Sequence, residues 1–140
     1  MMLQAVLLPV FVQVALTFAL LFWTGGIRTG AVRRGEVRVR DIALRQPNWP
    51  ARPTQIANAY QNQLELPLLF YVLVILALFT KQADFLFVAL SWVFVLSRVV
   101  HAAIFVTSNR VSQRFLAFLV GAVVLLVMWL IFAVRILTAV

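Results

Sequence analysis

The sequence predicts an all-α integral membrane protein in which four spanning helices form one bundle. Of the 140 residues, 64% are hydrophobic and only 11% are charged, and the mean hydropathy is +1.03. Four stretches of roughly 20 mostly apolar residues can be laid out, each long enough to cross the hydrocarbon core of a bilayer. They leave one substantial loop and two short connections, so residues 1–140 are predicted to be a single four-helix domain.

The first span is predicted at about residues 3–23 and is followed by a basic loop over residues 25–53. No positively charged segment precedes the span, which indicates a retained helix rather than a signal peptide. Because cytoplasmic loops carry an excess of basic residues, the loop is predicted to be cytoplasmic. Its basic residues are Arg28, Arg33, Arg34, Arg38, Arg40, Arg45 and Arg52.

The other spans are predicted at about residues 55–80, 85–106 and 115–137. The turn at residues 81–84 is nearly neutral, whereas the connection at residues 107–114 contains Arg110 and Arg114. The charge rule then places both arginine-bearing connections inside and both termini outside, with Arg135 as the one basic residue against it. The predicted location is a bacterial inner membrane.

Composition excludes several classes of function. The chain has no cysteine and a single histidine, so it lacks a thiol nucleophile and has too few conventional ligands for zinc or iron; no metal is predicted. The net charge of +8 arises largely from the loop beside the membrane, which favours positive-inside anchoring over nucleic-acid binding. The lipid bilayer is the predicted partner.

Polar side chains form two stripes on the second and third predicted spans. Asn58, Asn62 and Glu65 are spaced i, i+4 and i+7, and Arg98 and His101 are spaced i and i+3. Each set therefore shares one face of its helix. Charged groups in hydrocarbon cost at least about 2.5 kcal/mol each and persist mainly when they are paired, hydrated or functional. The two stripes are therefore the candidate ligand-binding residues.

The stripes are predicted to lie at matching depths in the membrane. Helical rise places Asn62 roughly 10 Å and Glu65 about 15 Å from the inner boundary, with His101 at about 9 Å and Arg98 at about 14 Å on the next helix. The sequence therefore predicts a Glu65–Arg98 ion pair. Pro67 removes a backbone donor just after Glu65 and is expected to bend the helix there.

A structural alternative for the stripes is a buried polar clamp that fixes helix register and subunit contacts. Two facing stripes contain more polar groups than a clamp needs. Arg110 and Arg114 lie at the cytoplasmic mouth of the same layer, where guanidinium groups would contact an anionic ligand. Positive-inside anchoring is the alternative reading of both arginines.

These residues resemble the family of membrane-associated proteins in eicosanoid and glutathione metabolism, abbreviated MAPEG. The resemblance is carried by the run from Asn58 to Pro67, which contains Asn62 and Glu65, by Arg98 and His101 one helix later, and by residues 109–114. The motifs cover residues 52–114, and the four-helix layout with its basic first loop extends the likeness over the whole chain.

The resemblance implies a homotrimer of four-helix bundles that binds glutathione between subunits. The implied function is a glutathione transferase or peroxidase, with glutathione or another small thiol acting on lipophilic electrophiles. It assigns Asn62, Glu65, Arg98 and His101 as ligand contacts. Asn58, which lies on the same polar stripe, and Arg28 complete the predicted ligand-binding residues. In catalytic members an arginine stabilises the glutathione thiolate, and here the candidates are Arg114, then Arg110 and Arg28.

Two other functions stay open at this point. Asn58, Leu66 and Phe105 stand where active members of the family commonly have an arginine, a tyrosine or other polar residue, and a tyrosine. Their identity favours a non-catalytic, lipid-binding membrane scaffold of the same fold. The third hypothesis is a small transporter that uses Glu65 as a proton-coupled site, since membrane glutamates often serve that role.

Overall fold

The computed structural model describes residues 2–45 and 47–139, and these residues form five α-helices without a β-strand. Four segments are long and apolar enough to cross a membrane. The all-α, four-span fold class is thereby confirmed, and the chain is a multi-pass integral membrane protein. The helices are α1 (Leu3–Arg33), α2 (Ala51–Asn62), α3 (Leu66–Phe79), α4 (Phe85–Val106) and α5 (Val111–Thr138).

Helix α1 is ten residues longer than the sequence predicts. Its 31 residues extend for about 46 Å, which exceeds the hydrocarbon thickness of about 30 Å. Gly25 and Gly26 are helical and do not begin the loop, and the last turns carry Arg28. The guanidinium of Arg28 lies 4.7 Å from the ring centre of Trp49, so the loop packs back on the helix end. The connection to α2 therefore covers residues 34–50 rather than 25–53.

The second span is broken, not merely bent. Between α2 and α3 the backbone N–H of Gln63 donates to the Tyr60 carbonyl at 2.9 Å, and that of Leu64 donates to the Gln61 carbonyl at 3.0 Å. These bonds span three residues and tighten the turn. Pro67 lies in the first turn of α3 and has no N–H for the Gln63 carbonyl, so the α-helical bonding pattern cannot continue through this point.

A buried amide pair holds the break against α1. The Gln13 side chain donates from Nε2 to Oε1 of Gln63 at 2.9 Å, and Gln63 Nε2 donates to the Ala59 carbonyl at 3.2 Å. Both glutamine side chains are fully buried. Buried polar groups of this kind need partners, and this bond supplies one to the Gln13 amide nitrogen and one to the Gln63 oxygen, whereas Oε1 of Gln13 has no partner among the described residues.

The polar residues form a layer between two apolar clusters. Helices α1 and α4 each contribute buried residues to both clusters, with buried polar side chains between them. The larger cluster contains Val6, Phe70, Leu73, Val74, Ala77, Phe87, Phe94, Val95, Leu125 and Met128. The smaller cluster, toward the basic loop, contains Leu20, Ala59, Ala102 and Phe105. Between them lie the buried side chains of Gln13, Gln63, Ser97, Arg98 and His101.

An ion pair closes the end of the bundle away from the basic loop. Asp84 is the N-cap of α4, where its Oδ1 accepts the Phe87 N–H at 2.9 Å, and its Oδ2 lies 2.9 Å from Nη1 of Arg135. This contact explains the one basic residue that opposes the charge rule, because its charge is paired with a carboxylate at the same end. The N–H of Phe87, followed by the charge of Arg135, holds the pKa of Asp84 below its ordinary value.

The Asp84 pair is expected to make stability depend on acid. A carboxylate with a depressed folded pKa contributes stability above its unfolded pKa of about 3.9 and loses it as the pH falls through the folded value. Asp84→Asn keeps an oxygen for the helix cap but removes the charge. We expect it to cost roughly 0.2–1 kcal/mol at neutral pH, since the pair is partly exposed. Thermal unfolding in detergent should show that the stability difference between the parent and Asp84→Asn shrinks as the pH falls below about 4. A stability difference that stays constant with pH would contradict the ion-pair assignment.

Helices α4 and α5 approach closely at Gly121. A Cβ atom at this position would lie 2.5 Å from Ser97 Oγ and 3.6 Å from Ser97 Cβ. We therefore expect Gly121→Ala to lower the free energy of unfolding by about 1–3 kcal/mol through overpacking. Adding Ser97→Ala removes the clashing hydroxyl and should restore most of the loss.

The matched control for Gly121→Ala is Gly26→Ala in α1, where a Cβ meets nothing within 4 Å. That alanine should be neutral or should stabilise by up to about 1 kcal/mol, because alanine favours the helix over glycine. Thermal unfolding of the three variants in detergent tests the contact. Equal effects of the two alanine substitutions would show that Gly121 is not a packing position.

Candidate functional site

An open groove of about 380 Å³ lies between α2, α4 and α5. One wall comes from α2 and the break that follows it, the floor from the second half of α4, and the opposite wall from the first turns of α5. We call this the polar groove. Its lining residues are Asn58, Gln61, Asn62, Glu65, His101, Phe105, Val111, Arg114, Phe115 and Phe118.

The α2 wall carries the polar stripe predicted from helical spacing. Gln61 and Asn62 lie one turn after Asn58 on α2, and Glu65 lies in the turn directly after the helix. Asn58 and Glu65 are exposed, whereas Asn62 is half-buried. The break thus places the Glu65 carboxylate in the groove, just beyond the last residue of α2.

The predicted Glu65–Arg98 ion pair is wrong. Nη2 of Arg98 instead donates to Oδ1 of Asn62 and, at 3.2 Å, to the Asn62 carbonyl. Helix α2 ends at Asn62, so the Asn62 carbonyl accepts only a long backbone bond, from the Glu65 N–H at 3.4 Å, and can also accept from Arg98. The turn carries Glu65 off the helical line into the open groove. Arg98 therefore pairs one turn earlier than depth matching predicts, and it senses the Glu65 charge only at longer range.

Arg98 is fully buried behind Asn62 and does not line the polar groove. Its Nε and Nη1 atoms have no hydrogen-bond partner among residues 2–45 and 47–139. His101 lies one turn further along α4 and does line the groove, with Nδ1 also buried and without a partner in the described chain. The α4 floor and the layer directly behind it thus contain more hydrogen-bonding capacity than the described residues satisfy.

Arg114 is the basic residue of the α5 wall. Its Nη1 donates to Oδ1 of Asn109 at 2.6 Å, and its guanidinium carbon lies 4.3 Å from the ring centre of Phe105. One side of the groove therefore carries the negative charge of Glu65, and the other carries a fixed positive charge. An ampholytic ligand, with both an ammonium and anionic groups, would match this arrangement.

Comparison with models of protein families matches the MAPEG family model to residues 6–134. The chain belongs to the MAPEG family. The resemblance inferred from its motifs is confirmed, and it extends over nearly the whole chain. Comparison with curated proteins and with solved structures gave no significant match.

The other two arginines predicted as site residues of this MAPEG chain lie elsewhere. Arg110 is exposed at the N-cap of α5 and is not among the lining residues. Arg28 belongs to the extended end of α1, where it packs on Trp49. Within this chain the fold thus gathers Asn58, Asn62, Glu65, His101 and Arg114 around the polar groove, places Arg98 behind it and leaves Arg110 and Arg28 outside.

Several groove residues of this MAPEG protein were not predicted from the sequence. Gln61 lies three residues after Asn58, so helical spacing alone could have identified it. Phe115 and Phe118 flank Arg114 on the same part of α5, but apolar residues in a membrane span give no signal that separates a groove from a lipid-facing surface. Phe105 places an aromatic ring against Arg114 and brings no hydroxyl.

Side chains of early α2 fix the end of α4 that forms the groove floor. Arg52 Nη1 donates to the Val106 carbonyl at 2.6 Å, and Gln55 Nε2 donates to the Phe105 carbonyl at 2.7 Å. These carbonyls are at the helix C-terminus, where the chain itself offers no further N–H partner. The bonds tie two walls of the groove together beside the basic loop.

Proposed function

We propose that this MAPEG protein binds glutathione, or another small anionic thiol, in the polar groove and conjugates it to lipophilic electrophiles. The proposal rests mainly on one observation, the placement of the Glu65 carboxylate and the Arg114 guanidinium on opposite walls of one groove. Glutathione carries an ammonium, two carboxylates and a thiol, so such a groove complements it.

Arg114 is the residue best placed to stabilise the thiolate. A free thiol is mostly protonated at neutral pH, and an adjacent guanidinium lowers its pKa. In the reaction the thiolate sulfur gives its electron pair to an electrophilic carbon and forms the new C–S bond. The displaced electron pair moves to the leaving or accepting atom of the electrophile, which takes up a proton equivalent to the one released by the thiol.

A second groove supports access by an apolar substrate. It lies between α3 and α5, has a volume of about 450 Å³ and begins next to Glu65, at the start of α3. All of its lining residues are apolar or aromatic, as expected for a surface that receives a lipid-soluble molecule from the bilayer. They are Leu66, Leu69, Ala122, Leu125, Leu126 and Trp129.

The proposed functional unit is a homotrimer with glutathione bound between neighbouring subunits. The polar groove is open on the isolated bundle, and large apolar side chains are exposed along α1 and α5. Exposed apolar surface in a membrane protein faces either lipid or another subunit, and a neighbour would shield the groove from water. Native mass spectrometry of the detergent-purified protein is expected to give a mass of three chains.

Glutathione binding by the parent protein and by Glu65→Gln tests the proposed ligand. If Glu65 holds the ammonium, loss of its charge should weaken binding about 10-fold, which corresponds to roughly 1.4 kcal/mol. Isothermal calorimetry in detergent measures this directly. Glu36→Gln is the matched control, since Glu36 is exposed and pairs with Arg34 outside the groove.

Lipid binding without catalysis is the second candidate function. It is favoured by Phe105 and Leu66, which give the site no hydroxyl where active relatives commonly have a polar side chain. A lipid retained in the native mass spectrum, together with no glutathione binding and no turnover of model electrophiles, would support this function and contradict the first.

A further inference from the structure

We infer that Asn109 is a positioning residue which holds the Arg114 guanidinium in the polar groove, and so sets how strongly a bound thiol is ionised. This inference deepens the proposed function and rests on it. Asn109 belongs to the turn between α4 and α5 and lies outside both helices. Its effect on a ligand would therefore pass through Arg114.

The turn fixes the Asn109 backbone first. Its φ of +51° lies in the left-handed region, which asparagine tolerates better than most residues other than glycine. Its backbone N–H donates at 2.7 Å to the carbonyl of Ile104, five residues earlier, and so closes the C-terminus of α4. The side chain thus projects from a defined point.

The side chain then fixes Arg114 from one side. Oδ1 of Asn109 accepts from Arg114 Nη1 at 2.6 Å, and both residues are half-buried. Phe105 contacts the same guanidinium through its ring, 4.3 Å from the guanidinium carbon. The hydrogen bond and the aromatic face together restrict the Arg114 side chain, which would otherwise lose conformational entropy about several rotatable bonds on binding a ligand.

The chemical nature of Asn109 is important as well as its geometry. A neutral amide oxygen orients the guanidinium without cancelling its charge, whereas a carboxylate would orient the group and neutralise it. Electrostatic stabilisation is most effective when the stabilising group is held in place before the charge develops. An oriented but unneutralised guanidinium suits an anionic sulfur.

Two substitutions separate this role from a backbone role. Asn109→Gly accepts the positive φ but removes the oxygen, so Arg114 is released. Asn109→Asp also tolerates this backbone conformation and retains an acceptor, but its charge neutralises the guanidinium. Both should raise the pKa of the bound thiol toward the free value of about 8.5, by about one unit. If Asn109 serves only the turn, both variants should behave like the parent.

The experiment is a pH titration of the ultraviolet absorbance of the glutathione thiolate, bound to each detergent-purified full-length variant at a saturating glutathione concentration. Ser108→Gly is the matched control because Ser108 is exposed in the same turn, and it should leave the midpoint unchanged while loosening the backbone. Unchanged midpoints in both Asn109 variants would overturn the inference. If Asn109→Gly does not fold, the Asn109→Asp midpoint decides alone.

The same titration separates failure of the inference from failure of the proposed function. A parent protein that binds glutathione and lowers its thiol pKa, with Asn109 variants that do the same, refutes only the role of Asn109. A parent protein that binds no glutathione refutes the proposed function and the inference together. A raised midpoint in the Asn109 variants, with Ser108→Gly at the parent value, supports both.

Discussion

Replacing Asn62 by leucine is expected to lower the free energy of unfolding by about 3 kcal/mol. The Asn62 side chain accepts from Nη2 of the fully buried Arg98. Two other nitrogens of that guanidinium already have no hydrogen-bond partner in the described chain. With leucine at position 62, the Arg98 guanidinium would keep only the backbone carbonyl of that residue as a partner. A buried charge left without its partner is more destabilising than replacement of both partners by apolar residues.

A double-mutant cycle distinguishes this explanation from simple disturbance of packing. Arg98→Met removes the charge but keeps an unbranched side chain of similar length, so the double variant Asn62→Leu/Arg98→Met should recover most of the stability lost in Asn62→Leu. The expected coupling is at least about 1 kcal/mol. Unfolding in mixed micelles gives the free energy of unfolding of the parent, the two single variants and the double variant.

The control for this cycle is Asn58→Leu, the same substitution one turn earlier on the same face of α2. Asn58 is exposed, and its replacement should change stability by no more than about 0.5 kcal/mol. If Asn58→Leu and Asn62→Leu are equally destabilising, the Asn62–Arg98 contact is not what holds this layer.

Hydropathy and periodicity were sufficient for the parts of the structure that depend on helix geometry. Apolar stretches of about 20 residues locate the spans, because the bilayer requires that length. Spacing of three and four residues places Asn58, Asn62 and Glu65 on one wall of the polar groove. The same spacing predicts Arg98 and His101 on one face of α4, and of these two only His101 lines the floor. Arg114 follows from its position just inside the next helix.

Contacts that depend on where a helix stops could not be obtained in the same way. Depth matching assumes a continuous second span, whereas α2 ends at Asn62 and transfers the Arg98 contact from Glu65 to that residue. Pro67 indicates a disturbance but not its position four residues earlier. The partner of Gln63 at the break is Gln13, fifty residues away, and no local pattern connects two single glutamines.

The length of α1 shows the same limit for a different reason. Glycine weakens a helix locally, so Gly25 and Gly26 were a reasonable place to end the first span. Helix propensity is outweighed here by tertiary contacts, since the loop returns to pack Trp49 against Arg28 and to bury Val37. A prediction based on helix-breaking residues such as glycine cannot include these tertiary contacts.

Replacing Arg114 by leucine is expected to lower the rate of thiol conjugation at neutral pH by about 10- to 30-fold, because only a few per cent of a thiol with its free pKa is ionised there. In the proposed site this guanidinium is the positive charge closest to the thiolate, and its loss leaves the thiol close to its free pKa of about 8.5. The parent rate should reach its plateau below that value. The rate of the variant should continue to rise with pH, so the deficit narrows above about pH 8.5.

Arg110→Leu removes the same charge one turn earlier, at the N-cap of α5, and identifies which arginine acts. Arg110 is exposed and does not line the polar groove, so this variant should keep the parent rate and pH profile within about twofold. Arg114→Lys should fall between the two, because lysine retains the charge but lacks the planar fork that Asn109 and Phe105 hold.

Turnover of a model electrophile with glutathione in detergent, followed across pH, measures these rates, and thermal unfolding of each variant excludes loss of fold as the cause. If Arg110→Leu loses the activity and Arg114→Leu retains it, the thiolate lies outside the polar groove and the charge that matters is at the helix end. If both variants lose it equally at every pH, the arginines act through the general positive potential of the basic side of the membrane, because a direct guanidinium–thiolate contact would give a pH-dependent deficit for Arg114 alone.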